Sequence, residues 1–160
     1  MIKKLIFVLL FFVLLAGVSG ALRAMDVEKK EPAANQEELS QDKAKNSLMK
    51  LVSAYEKKNE RRFMNLISEK FYPFAYAEFQ YRIKEDFRQL NNIDIALFID
   101  KVVPDSQYTA IQTHWMFNYL PKDQANILRR EGRTVFTFAK EEDGLKLIDT
   151  KGDTLFGFTP

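Results

Sequence analysis

The chain has 160 residues, with 24 Lys and Arg against 22 Asp and Glu, one histidine and no cysteine. Without a thiol, disulfides, thiolate catalysis and cysteine-ligated metals are excluded. A formal net charge of +2 gives no electrostatic case for nucleic acid as a partner.

The first segment reads as an export signal. Lys3 and Lys4 precede an uncharged stretch, Leu5 to Leu22, in which an apolar run (Leu5 to Leu15) gives way to the small residues Ala16 to Ala21. A basic start, an apolar core and a small-residue cleavage region define a secretory signal over residues 1–21. Cleavage is expected after Ala21, with Ser19 and Ala21 in the small-residue positions, or after Gly20. The alternative is an uncleaved anchor, because the 18 uncharged residues reach the lower bound for a membrane-spanning helix. The expected location is therefore periplasmic or secreted, and the protein meets a membrane only if this segment is kept. Lys3 and Lys4 account for the whole net charge, so the remaining 139 residues carry 22 charges of each sign and are long enough for one core.

Residues 22–38 mix charges with one proline and little apolar periodicity, which predicts a flexible linker, and the folded domain is expected over residues 39–160. Leu48, Leu51, Val52 and Tyr55 follow a helical spacing after the capping residue Ser40, predicting a first helix that ends near Lys58. Asn59 caps a second helix, whose Phe63, Met64, Leu66, Ile67 and Phe71 form a stripe up to Pro73. A third helix is predicted from Phe74 to Asn91, with Tyr76, Phe79, Ile83, Phe87 and Leu90 recurring every three or four residues.

From Ile93 the period changes to two. Ile93, Ile95, Leu97 and Ile99 predict one strand, and Ile111, Thr113, Trp115, Phe117 and Tyr119 a second, joined by a three-residue loop at Pro104-Asp105-Ser106. With that loop Ile99 faces Ile111, Leu97 faces Thr113, Ile95 faces Trp115 and Ile93 faces Phe117, which keeps the apolar residues on one side of the sheet. A third strand is predicted from Ile127 to Lys140. Asp143-Gly144 turns it, through a four-residue loop, into Leu145 to Ile148, and Leu155 to Phe158 is expected to dock as a last strand.

Three helices packed on a curved antiparallel sheet give an α+β fold, and two stretches make it more specific. "LVSAYEKKNERRFMNLIS" (Leu51 to Ser68) and "GRTVFTFAKEEDGLKLIDTKGD" (Gly132 to Asp153) resemble, respectively, the first two helices and the last hairpin of the nuclear transport factor 2-like and ketosteroid-isomerase-like superfamily. The resemblance spans about Leu48 to Phe158 and implies a cone-shaped α+β roll around a pocket. It also implies that enzymatic members would carry a proton-transferring acid after the second helix. That position falls near Phe74-Ala75 here, and neither residue transfers a proton.

The candidate chemistry is sparse. Tyr55, Trp115, Phe117 and Tyr119 are the expected walls of a ligand pocket if the fold has one, and core packing alone is the stronger explanation of the same residues. His114 lies on the opposite strand face from Trp115, opposite Ala96 and diagonal to Asp94, as a solvated histidine or half of a His-Asp pair. Lys57, Lys58, Arg61 and Arg62 form one basic cluster, and Arg129, Arg130 and Arg133 another; either reads as a solvated face or as a contact for anionic lipid or an acidic partner. Asp149 and Asp153 match no metal-loop spacing, and no metal or cofactor is expected. The sequence thus favours a non-catalytic binding domain for a small apolar molecule or an envelope protein. The alternatives are a cofactor-independent isomerase, dehydratase or hydrolase using pocket tyrosines with Asp94, Asp100 or His114, and a homodimeric structural protein.

Overall fold

The computed structural model of the chain describes residues 33–72 and 75–158. The expected signal and the first part of the linker lie outside them. Helix α1 (Ala33–Glu56) begins within the stretch read as linker. Its opening residues, Ala33 to Leu39, are rich in Ala, Gln, Glu and Leu, strong helix formers that extend the helix without an apolar stripe. Its buried stripe is Ala44, Leu48, Leu51, Val52 and Tyr55. Lys58 ends the helical path by taking a left-handed conformation (φ 52°). Asn59 then caps α2 (Glu60–Met64), its side-chain oxygen accepting from the Arg62 N–H at 3.0 Å.

The expected second helix stops after little more than one turn, and the chain becomes strand β1 (Ile67–Tyr72). A spacing of four puts Ile67 and Phe71 on one face of a helix and of a strand alike, so periodicity did not separate the two. What decides is tertiary: β1 pairs in parallel with β5, Ile67 opposite Leu147, and the Leu147 N–H donates to the Leu66 carbonyl at 2.9 Å. Helix α3 (Tyr76–Gln89) follows, burying Phe79, Ile83 and Asp86.

Four long strands complete the sheet: β2 (Leu90–Pro104), β3 (Tyr108–Pro121), β4 (Leu128–Glu141) and β5 (Gly144–Gly152). The order is β1-β5-β4-β3-β2, antiparallel except for the β1–β5 edge, so the sheet is mixed rather than purely antiparallel. The β2–β3 loop is three residues long as expected but lies one residue later, at residues 105–107. Beside the loop the pairing has slipped by three residues, with Val103 opposite Ala110 instead of Gln107, and a register shift between Ile99 and Lys101 takes one back, so Ile99 faces Thr113, Leu97 faces Trp115, Ile95 faces Phe117 and Ile93 faces Tyr119. The total slip is two residues. Side chains alternate with a period of two, so this even slip preserves the faces from Ile93 to Ile99 although every pair there has changed.

The β4–β5 turn is also tighter than expected: Glu141 pairs with Gly144, leaving Glu142 and Asp143 as the loop, and Gly144 takes φ 130°. Leu155 to Phe158 forms no strand. Gly152 (φ 103°) turns the chain aside, and Asp153 Oδ2 takes the Arg133 N–H at 2.8 Å, ending the ladder. The inner face of the sheet presents Ile111, Trp115, Phe117, Phe136, Phe138 and Leu147, all buried, towards the helices.

Candidate functional site

The interior of the roll is built from aromatic side chains on five separate segments. Tyr55 comes from the buried stripe of α1, Phe63 from α2 and Phe87 from α3; Phe117 comes from β3 and Phe156 from the segment after β5. The Tyr55 ring lies 4.9 Å from Phe156, 5.2 Å from Phe87, 5.6 Å from Phe63 and 6.2 Å from Phe117, centroid to centroid. Tilted and edge-on contacts of this kind add to simple area burial. The deep part of the cone is thus filled by the protein itself, with Phe156 as its plug.

One buried charge-bearing group stands among these rings. Asp86 is fully buried on α3, and its Oδ2 accepts hydrogen bonds from the Tyr55 hydroxyl and from the Gly157 N–H at 2.6 Å. Burial, the adjacent Asp86 carboxylate and the hydrogen bond to it hold the Tyr55 hydroxyl well above the usual tyrosine range. Sequence reasoning missed Asp86. Its signal was positional: Phe79, Ile83, Asp86 and Leu90 share the helical spacing, and an aspartate within such a stripe needs buried partners.

Towards the mouth of the cone the packing loosens. The Phe158 ring lies 5.2 Å from both Phe117 and Tyr119, nearly perpendicular to the first, and the Arg130 guanidinium sits 4.4 Å from its centroid. Arg130 belongs to one of the expected basic clusters yet lies opposite Phe117 in the β3–β4 ladder, which turns it inward. Its Nη2 donates to the Thr154 carbonyl at 3.4 Å, and its Nη1 is buried without a hydrogen-bond partner. Tyr119 and Phe158 are only part-buried.

Of the four expected pocket residues, Tyr55, Phe117 and Tyr119 therefore meet in one aromatic chain. Trp115 is 1 % exposed; its indole N–H donates to Thr134 Oγ1 at 2.9 Å, and the ring covers Gly132. Thr134 Oγ1 in turn donates to the Asp153 carbonyl, which ties the indole to the start of the terminal segment.

The acid-base candidates lie elsewhere. His114 faces Phe98 rather than Ala96, a consequence of the two-residue slip, and stacks on its ring at 4.7 Å. Its Nδ1 is 2.6 Å from Asp100 Oδ1, with both side chains nearly half exposed, and Asp94 accepts from Asn118 at 3.1 Å. This is the outer face of the sheet, so none of the three converges on Tyr55. Among the described residues no three His, Asp or Glu side chains gather as a metal set.

No family model matches the sequence, and no curated protein does. Solved structures do match in fold. A candidate scytalone dehydratase from Novosphingobium aromaticivorans superposes with a TM-score of 0.68 at 6 % identity, over 76 % of this chain and 89 % of that one. A ketosteroid isomerase-like protein from Erwinia carotovora atroseptica gives 0.61 at 10 % identity, over 72 % and 97 %. A nuclear transport factor 2-like superfamily protein from Salmonella enterica gives 0.58 at 10 % identity, over 76 % and 92 %. The chain has the nuclear transport factor 2-like α+β fold, and at these identities the likeness concerns fold alone.

Proposed function

We propose that this is an exported, non-catalytic binding domain that takes a flat apolar small molecule at the mouth of its cone, in the slot filled by Phe158. The observation that carries this reading is the Phe158 ring itself, part-buried between Phe117 and Tyr119 with the Arg130 guanidinium against it. A slot that holds one ring by edge contacts and a cation holds another of similar thickness. The bound molecule displaces Phe158 and leaves Phe156 in place, since Phe156 is 4 % exposed and packed against Tyr55 and Phe63. Arg130 Nη1, buried and unpaired, is positioned to donate to an anionic substituent on the ring. A slot one ring wide suits a small molecule better than an envelope protein.

The test uses 1-anilinonaphthalene-8-sulfonate, an aromatic anion. Phe158→Ala is expected to bind one probe more tightly than the parent protein, because the competing ring is gone. Adding Arg130→Gln should weaken that binding by about tenfold, the loss of one charge-assisted hydrogen bond. A folded Phe158→Ala protein that binds no probe would sink the proposal. Export is tested by the mass of the protein recovered from the cell envelope, which falls by residues 1–21 if the signal is cut after Ala21.

A second reading, a cofactor-independent isomerase, dehydratase or hydrolase, is favoured by the buried Tyr55–Asp86 pair. In that case the whole segment from Asp153 to Phe158 has to leave before substrate reaches the pair, because Gly157 and Phe156 cover it.

A further inference from the structure

A second concave surface lies outside the roll, between α1 and α2. The left-handed turn at Lys58 folds α2 back against α1, with the Asn59 N–H donating to the Ala54 carbonyl at 2.9 Å. This brings Arg61 and Arg62 across from Lys50. The result is a hollow open to solvent, of about 450 Å³, lined by the exposed Lys50, Asn59, Arg61, Arg62 and Asn65 and the half-buried Leu66. No carboxylate lines it. Of the acidic residues close by in sequence, Glu56 accepts from the Ile95 N–H at 2.9 Å and Glu60 from Gln80 at 2.7 Å, with Lys84 at 3.4 Å, while Glu69 on β1 is not part of the lining. Lys50, Arg61 and Arg62 hold no carboxylate among the described residues. Lys43, seven residues before Lys50 on α1, extends the same positive face.

We propose that this cleft binds a phosphate-type polyanion, either as a soluble phosphoester or as the headgroup of an anionic lipid. Its polar lining supplies donors almost exclusively. Lys50 presents an ammonium, and Arg61 and Arg62 two planar forks that match phosphate oxygens in pairs. The acceptor oxygen of Asn59 already holds the Arg62 N–H. That leaves the Asn59 amide NH₂ as a further donor. Three like charges around one hollow repel one another unless an anion sits between them, and a single carboxylate satisfies fewer of these donors than a phosphate does. The volume falls in the range of small-molecule sites, so the phosphate enters with part of the molecule that carries it. This inference is independent of the slot at Phe158.

The experiment titrates the full chain at low ionic strength with inorganic pyrophosphate by calorimetry, and separately with vesicles containing phosphatidic acid. Arg61→Gln and Arg62→Gln are expected to weaken pyrophosphate binding by about tenfold each, while Lys101→Gln, on the distant strand β2, leaves it unchanged. Vesicle binding is read as the difference between the parent protein and Arg61→Gln/Arg62→Gln, because the N-terminal apolar segment can insert by itself. A cleft-dependent response to pyrophosphate alone supports the soluble phosphoester. A cleft-dependent response to vesicles, with or without pyrophosphate, supports the headgroup. Absence of saturable binding to both probes, or equal weakening by Lys101→Gln, overturns the proposal, since the surface is then only a solvated basic face. Far-ultraviolet circular dichroism and Trp115 emission confirm that each variant is folded.

Discussion

Replacing Asp86 by alanine tests whether the terminal segment is locked onto the roll from inside. Asp86 Oδ2 receives both the Tyr55 hydroxyl and the Gly157 N–H, so Asp86→Ala strands two buried donors at once. An orphaned buried donor costs about 1–3 kcal/mol, which gives about 2–6 kcal/mol for the pair. Removing a carboxylate from a dry site returns part of this through relief of its desolvation, so the net loss is expected at about 2–4 kcal/mol. Asp86→Asn keeps an acceptor oxygen without the charge and should lose about 1–2 kcal/mol. Urea unfolding followed by Trp115 emission measures both. A double-mutant cycle with Tyr55→Phe separates the contact from its surroundings: once Asp86 is gone, removing the hydroxyl removes an orphan, so the two changes should couple by at least about 1 kcal/mol. Hydrogen exchange at the Gly157 amide should accelerate in Asp86→Ala. Additive energies, or a loss below about 0.5 kcal/mol with protected Gly157 exchange, would show that the lock does not hold the segment.

Three further outcomes follow from the same packing. Phe156→Ala removes the plug against Tyr55, Phe63 and Phe136 and is expected to cost about 3–5 kcal/mol in the same unfolding assay. Gly132→Ala places a methyl 2.4 Å from the Trp115 ring and 2.7 Å from Asp153 Cβ, so about 1–3 kcal/mol of overpacking is expected, together with a shift in Trp115 emission. The raised Tyr55 hydroxyl sets a pH dependence. A folded-state value above the unfolded one gives stability that is fully present below the ordinary tyrosine range, near pH 10, and is lost as pH rises towards the folded value. Alkaline unfolding titrations should therefore show a steeper fall for the parent protein than for Tyr55→Phe.

The first and third expected helices and the two faces of the sheet were legible because they depend on local periodicity. Leu48, Leu51, Val52 and Tyr55 mark a buried helical stripe wherever α1 packs, and the alternation from Ile111 to Tyr119 marks an inner strand face whatever its partner. Strand β1 was not legible, because Ile67 and Phe71 suit both periods and only the open edge of β5 selects the strand. Register was half legible: parity followed from the apolar pattern, whereas the pairing depended on where the 105–107 loop and the shift before Lys101 fell. That slip also moved His114 from Asp94 to Asp100.

The sequence by itself determined the composition limits, the α+β pattern and the aromatic character of the inner face, since each is a property of residue type and spacing. Only the tertiary structure decided that Asp86 and Tyr55 share a hydrogen bond, that Arg130 turns inward onto Phe158, and that the terminal segment fills the cone. Those contacts join residues separated by 31, 28 and more positions. No local period encodes such distances; the closure of the sheet around the helices brings the residues together.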